Sequence, residues 1–550
     1  MPPIPTVSRA DRLRELTALL ESIAADRRVL DELPDEERDR LLRAIAYVYS
    51  PDRYARRRQS KAETRDRKAS RAQLHDRIKA TAAIRTLHRK PVVTTPNVFP
   101  PEGFEPHDIG RDADAAVGLA DDSGDELTSG VIFGPGSEPR ESVEPQHCYV
   151  CKARYTVIHH FYDQLCPTCA PFNFAKRTEL ADLRGRVALL TGGRVKIGYQ
   201  TGLKLLRCGA HVIVTTRFPR DSAMRYAREP DFHEWADRLE IFGLDLRHTP
   251  SVEAFCRELV ATRPRLDFIV NNACQTVRRP PDFYAHMMAG EQAAVSEMPE
   301  EVRRLVGAYE GLRGYHLLPE AGGAGDVAAL DRRIAGISGL GVAGLDVSGL
   351  THAAALSQVP LLAEERQAQR DLFPEGRLDA DLQQVDLRGR NSWRLVLHEV
   401  SAVELLEVQL VNAVAPFILN ARLKPLLLKT PGRDKHIVNV SAVEGQFYRT
   451  FKTTRHPHTN MAKAALNMMT RTAAADYHAD GIHMNSVDTG WVTDEDPVEI
   501  AARKTADHRF HPPLDIVDGA ARIVDPIFDG INTGNHVWGQ FLKDYRPTAW

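Results

Sequence analysis

Near its start the chain places Leu13, Leu16, Leu19, Leu20 and Ile23 three or four positions apart. After Pro34 the run DEERDRLLRAIAYVYS repeats that spacing with Leu41, Leu42, Ile45 and Tyr49. Apolar residues so spaced share one face of an α-helix, so two amphipathic helices are predicted. The segment RYARRRQSKAETRDRKASRAQLHDRIK is expected to continue as an exposed helix. From about Phe99 to Pro145 periodicity disappears in a stretch rich in Pro, Gly and Asp, including GLADDSGDELTSG, which reads as a mobile linker. From Arg186 the pattern changes again. RVALLTGG is a short apolar strand entering a glycine turn, GYQTGLKLLRCG a helix, and HVIVTTR, LEIFGLDL and LDFIVNNA three further strands. This alternation predicts an α/β fold with a doubly wound parallel sheet.

Composition alters this picture in two places. The 43% hydrophobic content supplies at least one large core, and no run of 18 or more apolar residues occurs. The opening MPPIPTVSRADRLR lacks the apolar stretch of a signal peptide, so a cytoplasmic protein without a membrane segment is expected. The formal charge of −2 conceals a basic segment: Arg53 to Lys90 holds 14 Lys/Arg against Glu63, Asp66 and Asp76. With almost no aromatic interleaving and no known reading motif, that segment favours solvation or protein docking over nucleic acid.

Of seven cysteines, four fall in one window as CYVC and CPTC, which argues against a disulfide framework. Cys148, Cys151, Cys166 and Cys169 form two knuckles, each turning two thiolates toward one ion, and four thiolates close a tetrahedral zinc site. A closed site has no position for water, so the zinc is expected to be structural. His159 and His160, between the knuckles, are expected to pack and not to ligate. The domains are thus a helical, basic region 1–98, a linker 99–145, a zinc module 146–180, and a dinucleotide-binding domain 181–550 interrupted by an insertion 276–406. Module and core are read as separate hydrophobic units.

In such a sheet the first strand-to-helix turn holds a pyrophosphate, because glycine lets backbone approach and the helix N-terminus offers free N–H groups. Here the residues resemble the short-chain dehydrogenases/reductases over about Arg186 to Cys274 and from Glu407 toward the C-terminus. TGGRVKIG is similar to the family's TGxxxGxG turn, with Thr191, Gly192 and Gly198 in place and Lys196 where the middle glycine is usual. Asp245 matches the acid that contacts adenine, NNAC matches NNAG, and Asn412 and Lys463 match the catalytic asparagine and lysine. The resemblance implies a Rossmann domain and a cofactor site of Thr191, Gly192, Arg194, Lys196, Ile197, Gly198, Arg217, Asp245, Leu246, Asn272, Ala273, Lys463, Gly490 and Thr493.

The departures are chemical. Aligning IVNVSAVEG on the family's IVNxSSxxG puts Ala442, with Ser441 beside it, at the catalytic serine, and the lysine spacing puts Thr459 at the tyrosine. An aliphatic hydroxyl is a far weaker acid than a phenol and cannot stand in for it. Replacement donors are sought in the loop before the lysine helix: Tyr448, His456 and His458, with Glu444 as a further polar group. VDTGWVTDE also departs from PGxxxT, with Thr493 displaced by one. The second strand ends in TTR and not in the acid that binds an NAD ribose, so Arg217, with Arg194 and Lys196, favours the 2′-phosphate of NADP, with NAD as the alternative and plain surface charge as a third reading. The insertion leaves the carboxyl end of the fourth strand and is either a lid over the site or a passive decoration. The expected function is an NADP-dependent oxidoreductase acting on a small-molecule carbonyl or alcohol. The rival is an inactive nucleotide-binding protein whose zinc module or N-terminal helices recruit a protein partner; a homo-oligomer is also compatible.

Overall fold

The computed structural model describes residues 8–49, 53–87, 140–310, 352–367, 369, 371–378, 383–448, 452–493, 495, 500 and 511–550. Residues 8–76 and 77–550 divide into two units. The first contains α1 (Arg9–Ala25), α2 (Asp35–Tyr49) and most of α3 (Arg53–Ala80), as the apolar spacing and the basic run predict. Ser8 caps α1 by accepting the Asp11 N–H. Leu13, Leu16 and Leu19 of α1 are exposed. Most of the proposed linker lies outside the described residues. Its last six residues, 140–145, belong instead to a strand, β1 (Arg140–His147), which pairs antiparallel with β2 (Arg154–Ile158).

The second unit also contains α4 (Ala83–Leu87), α5 (Cys169–Thr178) and an eight-stranded sheet. In chain order the sheet and its helices are β3 (Val187–Thr191), α6 (Lys196–Arg207), β4 (His211–Thr216), α7 (Pro219–Tyr226), β5 (Leu239–Gly243), α8 (Thr249–Thr262) and β6 (Phe268–Asn271). The insertion then adds α9 (Ala285–Gln292) and α10 (Glu300–Leu305). The fold resumes with α11 (Ala402–Gln409), α12 (Ala415–Lys429), β7 (Lys435–Ser441), α13 (Pro457–Ala479), β8 (Ile482–Asp488), α14 (Ile516–Thr533), β9 (Phe541–Lys543) and β10 (Arg546–Thr548). The spatial order is β10-β9-β8-β7-β6-β3-β4-β5, parallel except for β10.

Strand residues alternate between two cores, as a period of two requires. Leu190, Val214 and Val438 face α6 and α14, whereas Leu189, Ile213 and Ile437 face α8 and α12. The run Ala402–Lys429 is long and apolar enough to cross a membrane by length and composition, but here it packs beside the sheet. Within it, Leu410–Val414 form a π-helical turn around Asn412.

The four-cysteine module shares a core with the sheet domain. Tyr155, Ile158, Phe161, Tyr162 and Leu165 bury against Val492, Leu514, Ile516 and Val517 in one cluster. Arg177 of α5 pairs with Asp515 at 2.7 Å and Asp518 at 3.0 Å, and the Tyr162 hydroxyl donates to Asp518. The boundary at residue 180 therefore separates no hydrophobic units: the knuckles contribute too little apolar surface for a core of their own and complete one borrowed from α14.

Candidate functional site: a cleft across the sheet

After β5 the chain crosses to β6 on the far side of β3, so the segments leaving the paired strands β3 and β6 run to helices on opposite faces of the sheet, and a crevice lies between them. A cleft of 1580 Å³ occupies it. Gly192 has φ +69°, and a Cβ there would meet the Ala273 Cα at 2.9 Å. At Gly198 a Cβ would lie 2.1 Å from the Gly192 carbonyl oxygen, so only glycine lets α6 start this close to the turn. Val195 precedes α6 without a side-chain cap, so the first-turn N–H groups face the cleft free of side-chain competition. Lys196 adopts φ +55°, the left-handed conformation that the family's middle glycine takes without cost. The lysine accepts roughly 1–2 kcal/mol of backbone strain there. Its ammonium lies 3.9 Å from Glu495, which also accepts from the Thr493 hydroxyl at 2.9 Å.

Arg217 stands at the end of β4, on the cleft wall. Its guanidinium donates to the Tyr284 hydroxyl at 2.6 Å and lies 4.4 Å from that ring's centre. Burial pushes the Tyr284 phenol up, but Arg217 outweighs it and holds the group below its usual value. Arg194 also lines the cleft, but it is buried in an ion pair with Asp221 at 2.6 Å. Asp245 is held by Arg247 at 2.6 Å. Ile197, Leu246, Asn272, Ala273 and Gly490 line the cleft as well. Thr191 does not: it is buried, and its hydroxyl accepts the Ala273 N–H at 3.0 Å, fixing the loop after β6.

Over β7 and β8 several expectations need correction. Lys463 is buried in the cleft wall, its ammonium donating to the Val440 carbonyl at 2.8 Å. Ser441 and Ala442 line the same wall, and the Ser441 hydroxyl has no hydrogen-bond partner among the described residues. Asn412 is absent from the lining: its amide grips the Gln275 backbone at both N–H, 2.8 Å, and C=O, 3.0 Å. Thr459 is buried out of the cleft. His458 is no proton donor to this space. Its Nε2 faces Glu404 of α11 at 3.6 Å, whereas the cleft-facing His456 sits just before α13 with φ +42°. Tyr448 is 94% exposed and does not line the cleft either. His456 does, stacked on Trp393 of the insertion at 3.9 Å and bonded through Nδ1 to Asn460 at 3.2 Å. Burial lowers its pKa, so the ring is neutral near pH 7.

The insertion therefore builds walls. Tyr284, Phe283 and Trp393 line the cleft, and Phe218 after β4 packs with Phe283, Tyr284 and Phe373. So does the four-cysteine module: Tyr149, between Cys148 and Cys151, lines the cleft, and its hydroxyl accepts the Trp491 N–H at 2.9 Å. Sequence reasoning missed Tyr149, Tyr284, Trp393 and Asp488; only strand ends, for Asp488, gave any signal. The four cysteine sulfurs lie within 4.8 Å of one another, with Cys151 and Cys166 3.6 Å apart. Zn–S bonds of about 2.3 Å in a tetrahedron separate sulfurs by about 3.8 Å, so the set fits zinc. His159 stays outside it: its Nδ1 accepts the Phe161 and Tyr162 N–H groups, and burial lowers its pKa to about 3.

Residues 186–291 match the family model described as short chain dehydrogenase, and residues 389–512 the one described as enoyl-(acyl carrier protein) reductase. Over these two segments the chain is similar to the short-chain dehydrogenase/reductase family, as a divergent sequence. Protein R665 of Acanthamoeba polyphaga mimivirus is 28% identical over 405 residues, 71% of this chain and 72% of that one. Dehydrogenase/reductase SDR family member 13 of Bos taurus is 35% identical over 105 residues, 18% of this chain and 28% of that one. Retinol dehydrogenase 14 of Mus musculus is 35% identical over 102 residues, 16% of this chain and 30% of that one. The chain thus spans less than a third of these two dehydrogenases. Among solved structures, an NADPH-bound carbonyl reductase from chicken fatty liver is 16% identical, with 67% of this chain and 100% of that one covered and a TM-score of 0.38.

Proposed function

We propose that the cleft binds NADPH and that the protein transfers hydride between it and a small carbonyl or alcohol. The observation that carries this reading is Arg217, an arginine at the end of the second core strand where an NAD site places an acid. Gly192, Gly198 and the start of α6 would hold the pyrophosphate, Arg217 the 2′-phosphate, and Asn272 and Ala273 the middle of the cofactor. NADPH supplies the hydride when bound. Lys463 stands in the wall over β7, and Trp393 of the insertion and Tyr149 of the knuckle wall that half. Fluorescence titration tests the cofactor: NADPH should bind at least tenfold more tightly than NADH, and equal affinities contradict the reading.

A second reading rests on Thr459 and His458, both buried away from the cleft, and on the exposed Tyr448: a nucleotide-binding module that has lost turnover and signals through a partner. The exposed Leu13, Leu16 and Leu19 of α1 support a protein partner there, and the exposed Phe417 and Met468 on α12 and α13 support self-association. Stopped-flow oxidation of bound NADPH against a broad carbonyl panel separates the two readings.

A further inference from the structure

Three strands end side by side under the β7–β8 half of the cleft. Ser441 pairs with Asp488, and Asp488 pairs with Lys543 of β9; all three line the cleft. Asp488 is only 5% exposed. One carboxylate oxygen accepts the Val443 N–H at 3.2 Å, and the other lies 3.7 Å from the Lys543 ammonium. Burial pushes this carboxyl up to about 6, against Lys543 and the Val443 N–H, with Glu444 and Asp544 adding to the rise. Asp245 and Glu495, also in the cleft, are instead tied to Arg247 and Lys196. Tyr149 of the knuckle packs on the Lys543 side, with the ammonium 5.3 Å from its ring centre. No phenol on the lysine helix serves this half of the cleft, yet a buried carboxyl does.

We propose that Asp488 exchanges the proton of this cleft, in the role the family gives to the phenol of the lysine helix. The inference rests on the oxidoreductase reading. With NADPH supplying hydride to a carbonyl carbon, the carbonyl oxygen takes the Asp488 proton, an alcohol forms, and water reprotonates the carboxylate. In the reverse direction the carboxylate takes the hydroxyl proton. Ser441, with its unpartnered hydroxyl, stands next to the carboxyl, and Lys543 sets how readily it ionises.

The test measures protons released when NADP⁺ and NADPH bind the full-length protein between about pH 5 and 8, with binding followed separately by calorimetry. A positive nicotinamide near the carboxyl favours its ionised form. The cofactor 2′-phosphate titrates in both cases, so the excess released with NADP⁺ is the signal. The wild type should release up to about one proton more with NADP⁺ than with NADPH near pH 6. Asp488→Asn should abolish the excess while both cofactors still bind. Lys543→Met should move it to higher pH, because the cation that favours the carboxylate is gone. An excess unchanged in Asp488→Asn overturns the assignment and leaves the cofactor reading standing; failure of the wild type to bind either cofactor removes both. Should Asp488→Asn not fold, an unshifted excess in Lys543→Met overturns the assignment.

Discussion

Replacing Cys166 by Ser should lower the stability of the whole unit 77–550 and not merely loosen the knuckles. The substitution removes one of four thiolates and opens the tetrahedral site. The knuckles then no longer hold Tyr155, Ile158, Phe161, Tyr162 and Leu165 against Leu514, Ile516 and Val517. Burying each such side chain contributes roughly 1.5–3 kcal/mol, so the shared cluster is comparable in size to the roughly 5–15 kcal/mol net stability of a domain. Displacing α5 would also strip Arg177 from the buried Asp515 and Asp518, and breaking such a pair costs roughly 3–5 kcal/mol. Scanning calorimetry of the full chain, with and without a chelator, is the assay. For even 3 kcal/mol lost, the main transition of wild-type protein should fall by roughly 3 °C on metal removal, since a unit of this size unfolds with an entropy of about 1 kcal/mol/K, and Cys166→Ser should start from that lower value. A separate low-temperature transition for the knuckles, with the main one unmoved, refutes the shared-core argument.

Arg217→Asp should weaken NADPH roughly 10- to 100-fold, the worth of one charge-assisted hydrogen bond, while leaving NADH nearly unchanged, as fluorescence titration reads. His458→Gln and Tyr448→Phe should leave hydride transfer unaltered in stopped-flow traces, since neither ring reaches the cleft; a loss in either shows that the loop rearranges around substrate. His483 donates through Nε2 to the Arg433 carbonyl, and burial lowers its pKa to about 4. Its contribution to stability is present above the unfolded value near 6.5 and is lost as pH falls toward 4. His483→Asn should therefore move the acid-unfolding midpoint, followed by circular dichroism, to lower pH.

Much of the fold was legible because strands such as Leu189–Leu190 and Ile437–Val438 are buried on both faces and stand out as apolar runs. The two CxxC turns were legible because their geometry is local. What escaped was non-local or directional. His456 and His458 are two residues apart, yet the left-handed backbone of His456 ahead of α13 leaves its ring in the cleft while that of His458, inside the helix, faces Glu404. Asp488 acquires meaning only through lateral pairing with Ser441 and Lys543, strands far apart in sequence. The contacts of Tyr284 with Arg217 and of Tyr149 with Trp491 join segments whose spacing carries no periodic signal.

A crystal structure of the protein with NADPH tests the account most directly. The account predicts the pyrophosphate at the start of α6 between Gly192 and Gly198, the 2′-phosphate on Arg217, and the nicotinamide over the ends of β7 and β8 with Lys463 and Asp488 in its surroundings. A cleft that stays empty at millimolar NADPH, or a cofactor whose 2′-phosphate lies away from Arg217, contradicts it.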